Sequence, residues 1–265
     1  MNGETMELTL DDVKRGAKRE EFRAGVQMRI LMPRLSVHVT RWVLLHTRLR
    51  PDQITTLSFV VGLASVAAFA STSPWVLLLG LVGFHVHVLL DYVDGEVARC
   101  RQQTSVSGAY YDLVTDRITF PLFVFCAALG FYRRVGDPTA LILGFAAAFG
   151  LMVDKAAVDS WYRAKGGAVD DVEDRYVAAP ERSAGGRWRG RLRILLVMVR
   201  GLTAFLTYVV IARLVDALVP AGLPGIGSAH AAVLWAFAFL MPAGAVVRFL
   251  YVYRRGAIPR RQQLL

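Results

Sequence analysis

The chain has 265 residues, 55% of them hydrophobic, and a mean hydropathy of +0.42. That composition excludes an ordinary soluble domain of this size. Lys and Arg number 31 against 21 Asp and Glu, a net charge of +10. The basic residues gather between apolar runs, where they meet anionic headgroups, so the charge points to a membrane surface and not to nucleic acid.

Residues 1–25 are charged and lack the apolar core of a cleaved leader. Within them, 10–25 (LDDVKRGAKREEFRAG) reads as a polar, exposed helix. Residues 26–47 mix apolar positions with Arg29, Arg34, His38, Arg41 and His46. This is poor composition for a span and good composition for an amphipathic helix lying in the interface. Pro33 breaks or starts that helix. Six candidate spans follow, at about 53–71, 75–98, 107–131, 138–160, 193–218 and 229–252, each near the roughly 20 residues that cross a hydrocarbon core. The expected fold is an all-α integral membrane protein of six transmembrane helices preceded by an amphipathic interfacial helix. Residues 1–50 form its N-terminal segment, 51–253 its membrane domain and 254–265 a basic tail.

Charge orients the spans. The segment before the first span holds ten Lys and Arg, the 161–192 connection seven, and the tail after 253 four. The loops on the other side hold only Arg133 and Arg134. The positive-inside rule then puts both termini and the 161–192 connection in the cytoplasm. That connection is broken by Gly166, Gly167, Pro180, Gly185 and Gly186, and its acidic patch before an Arg-rich run reads as a solvated, lipid-facing surface. Cys100 and Cys126 offer neither a disulfide framework nor zinc spacing.

The second and third spans adjoin in the stretch DYVDGEVARCRQQTSVSGAYYDLVTD, on the cytoplasmic side by the same rule. It carries four aspartates. One Asp at the centre of a membrane helix costs roughly 2.5–3.5 kcal/mol, so four at a bilayer edge call for cations. Asp91 and Asp94 are three apart, and Asp112 and Asp116 four apart, so each pair lies on one helical face. Hard oxygen donors suit Mg²⁺, Mn²⁺ or Ca²⁺ rather than zinc. Gly95 and Gly108 permit close approach, and Arg99 offers a fork suited to phosphate.

These residues fit D-x2-D-G-x2-A-R-x8-G-x3-D-x3-D at all eight fixed positions, and the chain thereby resembles the CDP-alcohol phosphotransferases. The motif covers about a tenth of the chain, and the membrane topology extends the likeness. The resemblance implies an integral membrane enzyme, of a bacterial- or archaeal-type cell membrane, that releases CMP from a CDP-linked alcohol and passes the substituted phosphate to an alcohol acceptor. It implies one or two divalent ions, Mg²⁺ or Mn²⁺, held by Asp91, Asp94 and Asp112. Asp116 is the implied general base, also touching a second cation, and a homodimer is implied as well. Gly95, Ala98, Arg99 and Gly108 match the family's nucleotide-binding part. Ser105 is a further phosphate partner, and Asp52 and Thr55, in P-D-Q-I-T at the start of the first span, could read cytosine or ribose. Pro51 followed by Asp52 is equally ordinary helix-start chemistry.

For the acceptor, Lys155, Arg163 and Arg200 could bind a phosphate on a small anionic alcohol, which favours CDP-diacylglycerol as donor. Lys155 and Asp159 could instead satisfy each other as an i, i+4 pair. His85 and His87 cannot share a helical face and read as satisfied intramembrane polar residues, and Arg117 reads as the partner of a carboxylate or headgroup. Three other functions compete. A CDP-choline or CDP-ethanolamine transferase would act on a diacylglycerol acceptor. An ion-coupled transporter would spread its acids through the membrane depth. A prenyltransferase would show D-D-x-x-D, which is absent.

Overall fold

The computed structural model describes residues 9–16, 32–165, 202–219 and 228–256. Among these residues the secondary structure is entirely helical. The helices are α1 (Leu10–Gly16), α2 (Met32–His46), α3 (Pro51–Phe69), α4 (Pro74–Cys100), α5 (Val106–Val135), α6 (Thr139–Lys165), α7 (Leu202–Leu218) and α8 (Ala229–Gly256).

Five of them, α3, α4, α5, α6 and α8, are long and apolar enough to cross a membrane. Only 33–39% of each spanning window is buried inside the protein, and the exposed remainder is apolar, as with Leu79, Ile142, Phe145 and Phe239. A surface of that kind needs lipid as its solvent. The expected count of six is not reached. The 193–218 span is described only from Leu202, as a 17-residue helix. Its first part lies outside the described residues, as do most of 10–25, the 161–192 connection beyond Lys165 and the tail beyond Gly256.

Pro33 is the second residue of α2 and therefore starts it. Met32, Ser36, Thr40 and Val43 are buried along one side of α2, while Leu35, Trp42 and Leu45 are exposed along the other. Helix α2 packs on α4, and α1 rests on both. Pro51 at the first turn starts α3, where Gln53 Oε1 accepts from the Arg50 amide at 2.8 Å. Helix α5 ends at Gly136, whose φ of 78° is the left-handed geometry of a helix stop.

Inside the domain α3 runs along α4, α5 sits against α3 and α6, α6 lies along α8, and α7 packs on α8, α4 and α5. Phe69, Phe84 and Phe123 meet edge to face at the centre, with ring centroids 5.8 Å apart for Phe69–Phe123 and 5.1 Å for Phe84–Phe123. Gly150 lets α6 approach α8 closely, since a Cβ there would sit 2.5 Å from the Pro242 nitrogen. The packing leaves α4 and α5 joined by the short turn 101–105, which brings the two acidic ends together.

Candidate metal centre

Asp91 and Asp94 stand on the last turns of α4, and Asp112 and Asp116 on the first turns of α5. The antiparallel helices face these sides towards each other. One carboxylate oxygen from each of Asp91, Asp94 and Asp112 lies within 4.8 Å of the others. Asp116 is close enough to Asp91 for the two charges to interact. Asp94 is 7% exposed, and its Oδ2 accepts from Thr55 Oγ1 of α3 at 2.5 Å. The Asp112 Oδ1 atom is buried with no hydrogen-bond partner.

A buried, unpartnered carboxylate oxygen costs free energy unless something positive fills the space. The three-carboxylate set of hard oxygen donors fits Mg²⁺ or Mn²⁺. The structure thus brings together Asp91, Asp94 and Asp112, the set that the family resemblance implies.

The nucleotide candidates gather beside it. A Cβ at Gly95 would lie 3.1 Å from Arg99 Nη1, so the guanidinium folds back along its own helix into the space glycine leaves. A Cβ at Gly108 would lie 3.1 Å from Ser105 Oγ and 3.5 Å from Asp52 Oδ1. Asp52, Ser105 and Gly108 therefore line one spot where α3 and α5 begin. Thr56 Oγ1 and the Tyr111 hydroxyl, 3.1 Å apart, join the same two helices. Ser105 Oγ accepts from the Gly108 amide at 3.0 Å and so caps α5. Thr55 gives its hydroxyl to Asp94, and Ala98 is half-buried on α4.

Further along α5, Arg117 forms an ion pair with Asp159 of α6. That long-range pair gives Arg117 the carboxylate partner its position called for. The Lys155 ammonium lies 5.8 Å from the Phe120 ring centroid, and Phe120 is one helical turn beyond Asp116 on the same face of α5. Lys155 thus reaches across to the face of α5 that bears Asp116. The Arg163 side chain and Arg200 lie outside the described residues.

His85 and His87 lie on the spanning helix α4, and the expectation that both are satisfied fails at His87 Nε2, which is buried with no hydrogen-bond partner. His85 Nδ1 is 2.7 Å from its own helix at the Leu81 carbonyl. Ser58 donates its hydroxyl to the His87 carbonyl at 2.8 Å, and its two oxygens lie 2.8 and 3.0 Å from His87 Nδ1. With both atoms facing Nδ1 acting as acceptors, that nitrogen carries the proton, as assigned from the network.

Sequence reasoning missed Glu96. It occupies a variable position of the motif, yet it is 5% exposed and accepts from Ser36 Oγ and Thr40 Oγ1, each at 2.6 Å. The signal available was a carboxylate beside a buried Val93–Val97 face, with hydroxyls four apart on α2.

Residues 48–164 match the family model described as CDP-alcohol phosphatidyltransferase. Curated relatives that carry the name "Bifunctional IPC transferase and DIPP synthase" are similar to this chain. The one from Thermococcus kodakarensis is 31% identical over 137 residues, which is 49% of this chain and 29% of the relative. The one from Aquifex aeolicus is 38% identical over 84 residues, 32% of this chain and 18% of the relative. The one from Rubrobacter xylanophilus is 32% identical over 123 residues, 46% of this chain and 27% of the relative. Each match spans less than a third of the relative's length.

Proposed function

We propose that the chain transfers a substituted phosphate from a CDP-linked alcohol to an alcohol acceptor and releases CMP, a reading supported by the match of residues 48–164 to the CDP-alcohol phosphatidyltransferase family model. The observation that carries this reading is the three-carboxylate cluster, with ligand oxygens within 4.8 Å and a buried Asp112 Oδ1 that no protein group satisfies. Asp91, Asp94 and Asp112 would hold Mg²⁺ or Mn²⁺, which when bound neutralises the donor diphosphate and the departing CMP.

The remaining roles belong to this chain's own side chains. Asp116 takes the acceptor's hydroxyl proton as general base and also borders a second cation. Thr55 orients Asp94 through its hydrogen bond. Arg99, Gly95 and Ala98 accommodate the cytidine phosphate, and Asp52, Ser105 and Gly108 close the nucleotide side. Lys155, with Arg163 and Arg200, receives an anionic acceptor. That basic set favours a small soluble acceptor and hence CDP-diacylglycerol as donor, making this a step of phospholipid synthesis. The site faces the cytoplasm by the charge argument, and the protein works as a homodimer.

Purified protein is given a panel of CDP-linked donors and candidate alcohols, with Mg²⁺, with Mn²⁺ and with chelator. CMP release should require a donor, an acceptor and a divalent ion together. CMP released only with CDP-choline or CDP-ethanolamine would overturn the lipid-donor assignment. No CMP under any combination would overturn the reaction.

A further inference from the structure

Glu96 lies two residues beyond Asp94 on α4. Two residues turn a helix by about 200°, so Glu96 points away from the face that bears Asp91, Asp94 and Gly95. There it is 5% exposed, and each of its two oxygens accepts a hydroxyl of α2 at 2.6 Å, Oε1 from Ser36 and Oε2 from Thr40. Both hydroxyl residues are fully buried.

This is a costly way to attach one helix to another. An apolar contact of similar volume would hold α2 on α4 without desolvating a carboxylate. Two charge-assisted bonds to one planar group supply something a greasy contact lacks, which is a defined angle. The other side of α2 presents Leu35, Trp42 and Leu45 with Arg34 and His38, the composition of a helix seated in a membrane interface. Arg101, just past the end of α4, donates to the carbonyls of Leu49 and Thr47. The motif end of α4 is therefore tied from behind to the surface segment, while Thr55 holds Asp94 from the front.

We propose that Glu96 is a positioning residue: by gripping Ser36 and Thr40 it fixes the rotation of α4 about its axis and so sets Asp91 and Asp94 at the spacing a divalent cation needs. The inference rests on the reading of the carboxylate cluster as a metal centre. The lever is steep. A side-chain tip about 5–6 Å from the helix axis moves about 1 Å when the helix turns by about 10°, whereas metal–ligand distances tolerate only about 0.2 Å.

The test uses the full chain reconstituted in lipid bilayers, with Mn²⁺ binding followed by electron paramagnetic resonance on folded protein. Glu96→Leu keeps the volume and removes the bonds, so Mn²⁺ affinity should fall roughly tenfold, the low end for outer-shell partners. Glu96→Gln should stay within about twofold of wild type, because its amide accepts from one hydroxyl and donates to the other. Ser36→Ala, a milder change, should fall between them.

Glu96→Leu and Ser36→Ala binding Mn²⁺ like wild type would overturn the inference, as would Glu96→Gln being as weak as Glu96→Leu. A wild-type protein that binds no Mn²⁺ would overturn the metal reading instead. A metal-independent readout then judges the grip: the distance distribution between spin labels at Leu45 and Gln103, in a background without Cys100 and Cys126. It should broaden in Glu96→Leu and stay narrow in Glu96→Gln; an unchanged distribution in Glu96→Leu overturns the grip.

Discussion

At one end of the helical domain Arg134 and Asp216 meet at 3.0 Å, whereas at the other Asp91, Asp94 and Asp112 converge on one another. Among the described residues, no basic side chain forms an ion pair with that triad. At the first end Asp216 also accepts from Ser228 Oγ at 2.6 Å and from the Ala229 amide at 2.7 Å, capping α8. Arg133 and Arg213 donate to the carbonyls of Ala70 and Thr72 in the α3–α4 turn. Charge there is consumed internally and joins five helices. At the motif end like charges are brought together, an arrangement suited to a bound cation. The contrast separates charge that builds the fold from charge that builds a site.

The largest test of that contrast is Asp116→Asn. Turnover should fall by the roughly 10²–10⁴-fold typical of general-base loss, while stability and Mn²⁺ binding by the other three carboxylates persist; CMP release at the wild-type rate would remove Asp116 from the chemistry. Asp216→Ala should do the reverse. It strands Arg134 and uncaps α8, so unfolding in mixed micelles should shift by about 3 kcal/mol, with the folded fraction still turning over normally. A loss of activity without loss of stability would blur the division between the two ends.

Two smaller effects sharpen it. Thr55→Val removes the hydroxyl that orients Asp94 and should weaken Mn²⁺ binding by about 10–100-fold, read by titration; unchanged affinity would reduce Thr55 to packing. Ser105→Ala removes the α5 cap and should cost about 1 kcal/mol of stability. A drop in donor affinity without that destabilisation would show Ser105 acting on phosphate instead.

The acidic site was legible because i, i+3 and i, i+4 spacings translate directly into shared helical faces, and a two-helix hairpin then fixes which faces meet. Five of the six expected spans were legible from length and apolarity alone, and the 193–218 span is described only from Leu202. That Arg117 pairs with a carboxylate was legible, but its identity as Asp159 was not, because only the packing of α5 on α6 brings the two together. Arg134 and Asp216 are 82 residues apart, a separation that no local pattern encodes. Thr55 reads as a nucleotide contact from its place in P-D-Q-I-T, and only the approach of α3 to α4 reveals Asp94 as a partner of its hydroxyl. Glu96 escaped notice because a polar residue at a helix end reads as solvated until α2 covers it.

Everything proposed at the motif end depends on Asp91, Asp94 and Asp112 acting as one divalent-cation centre. Its most direct test is Mn²⁺ binding to wild type and to folded Asp112→Asn, measured side by side in bilayers with CDP present. Wild type should bind, and Asp112→Asn should lose at least about 100-fold in affinity, beyond the range of outer-shell changes. Equal binding by the two proteins, or none by wild type, would contradict the account.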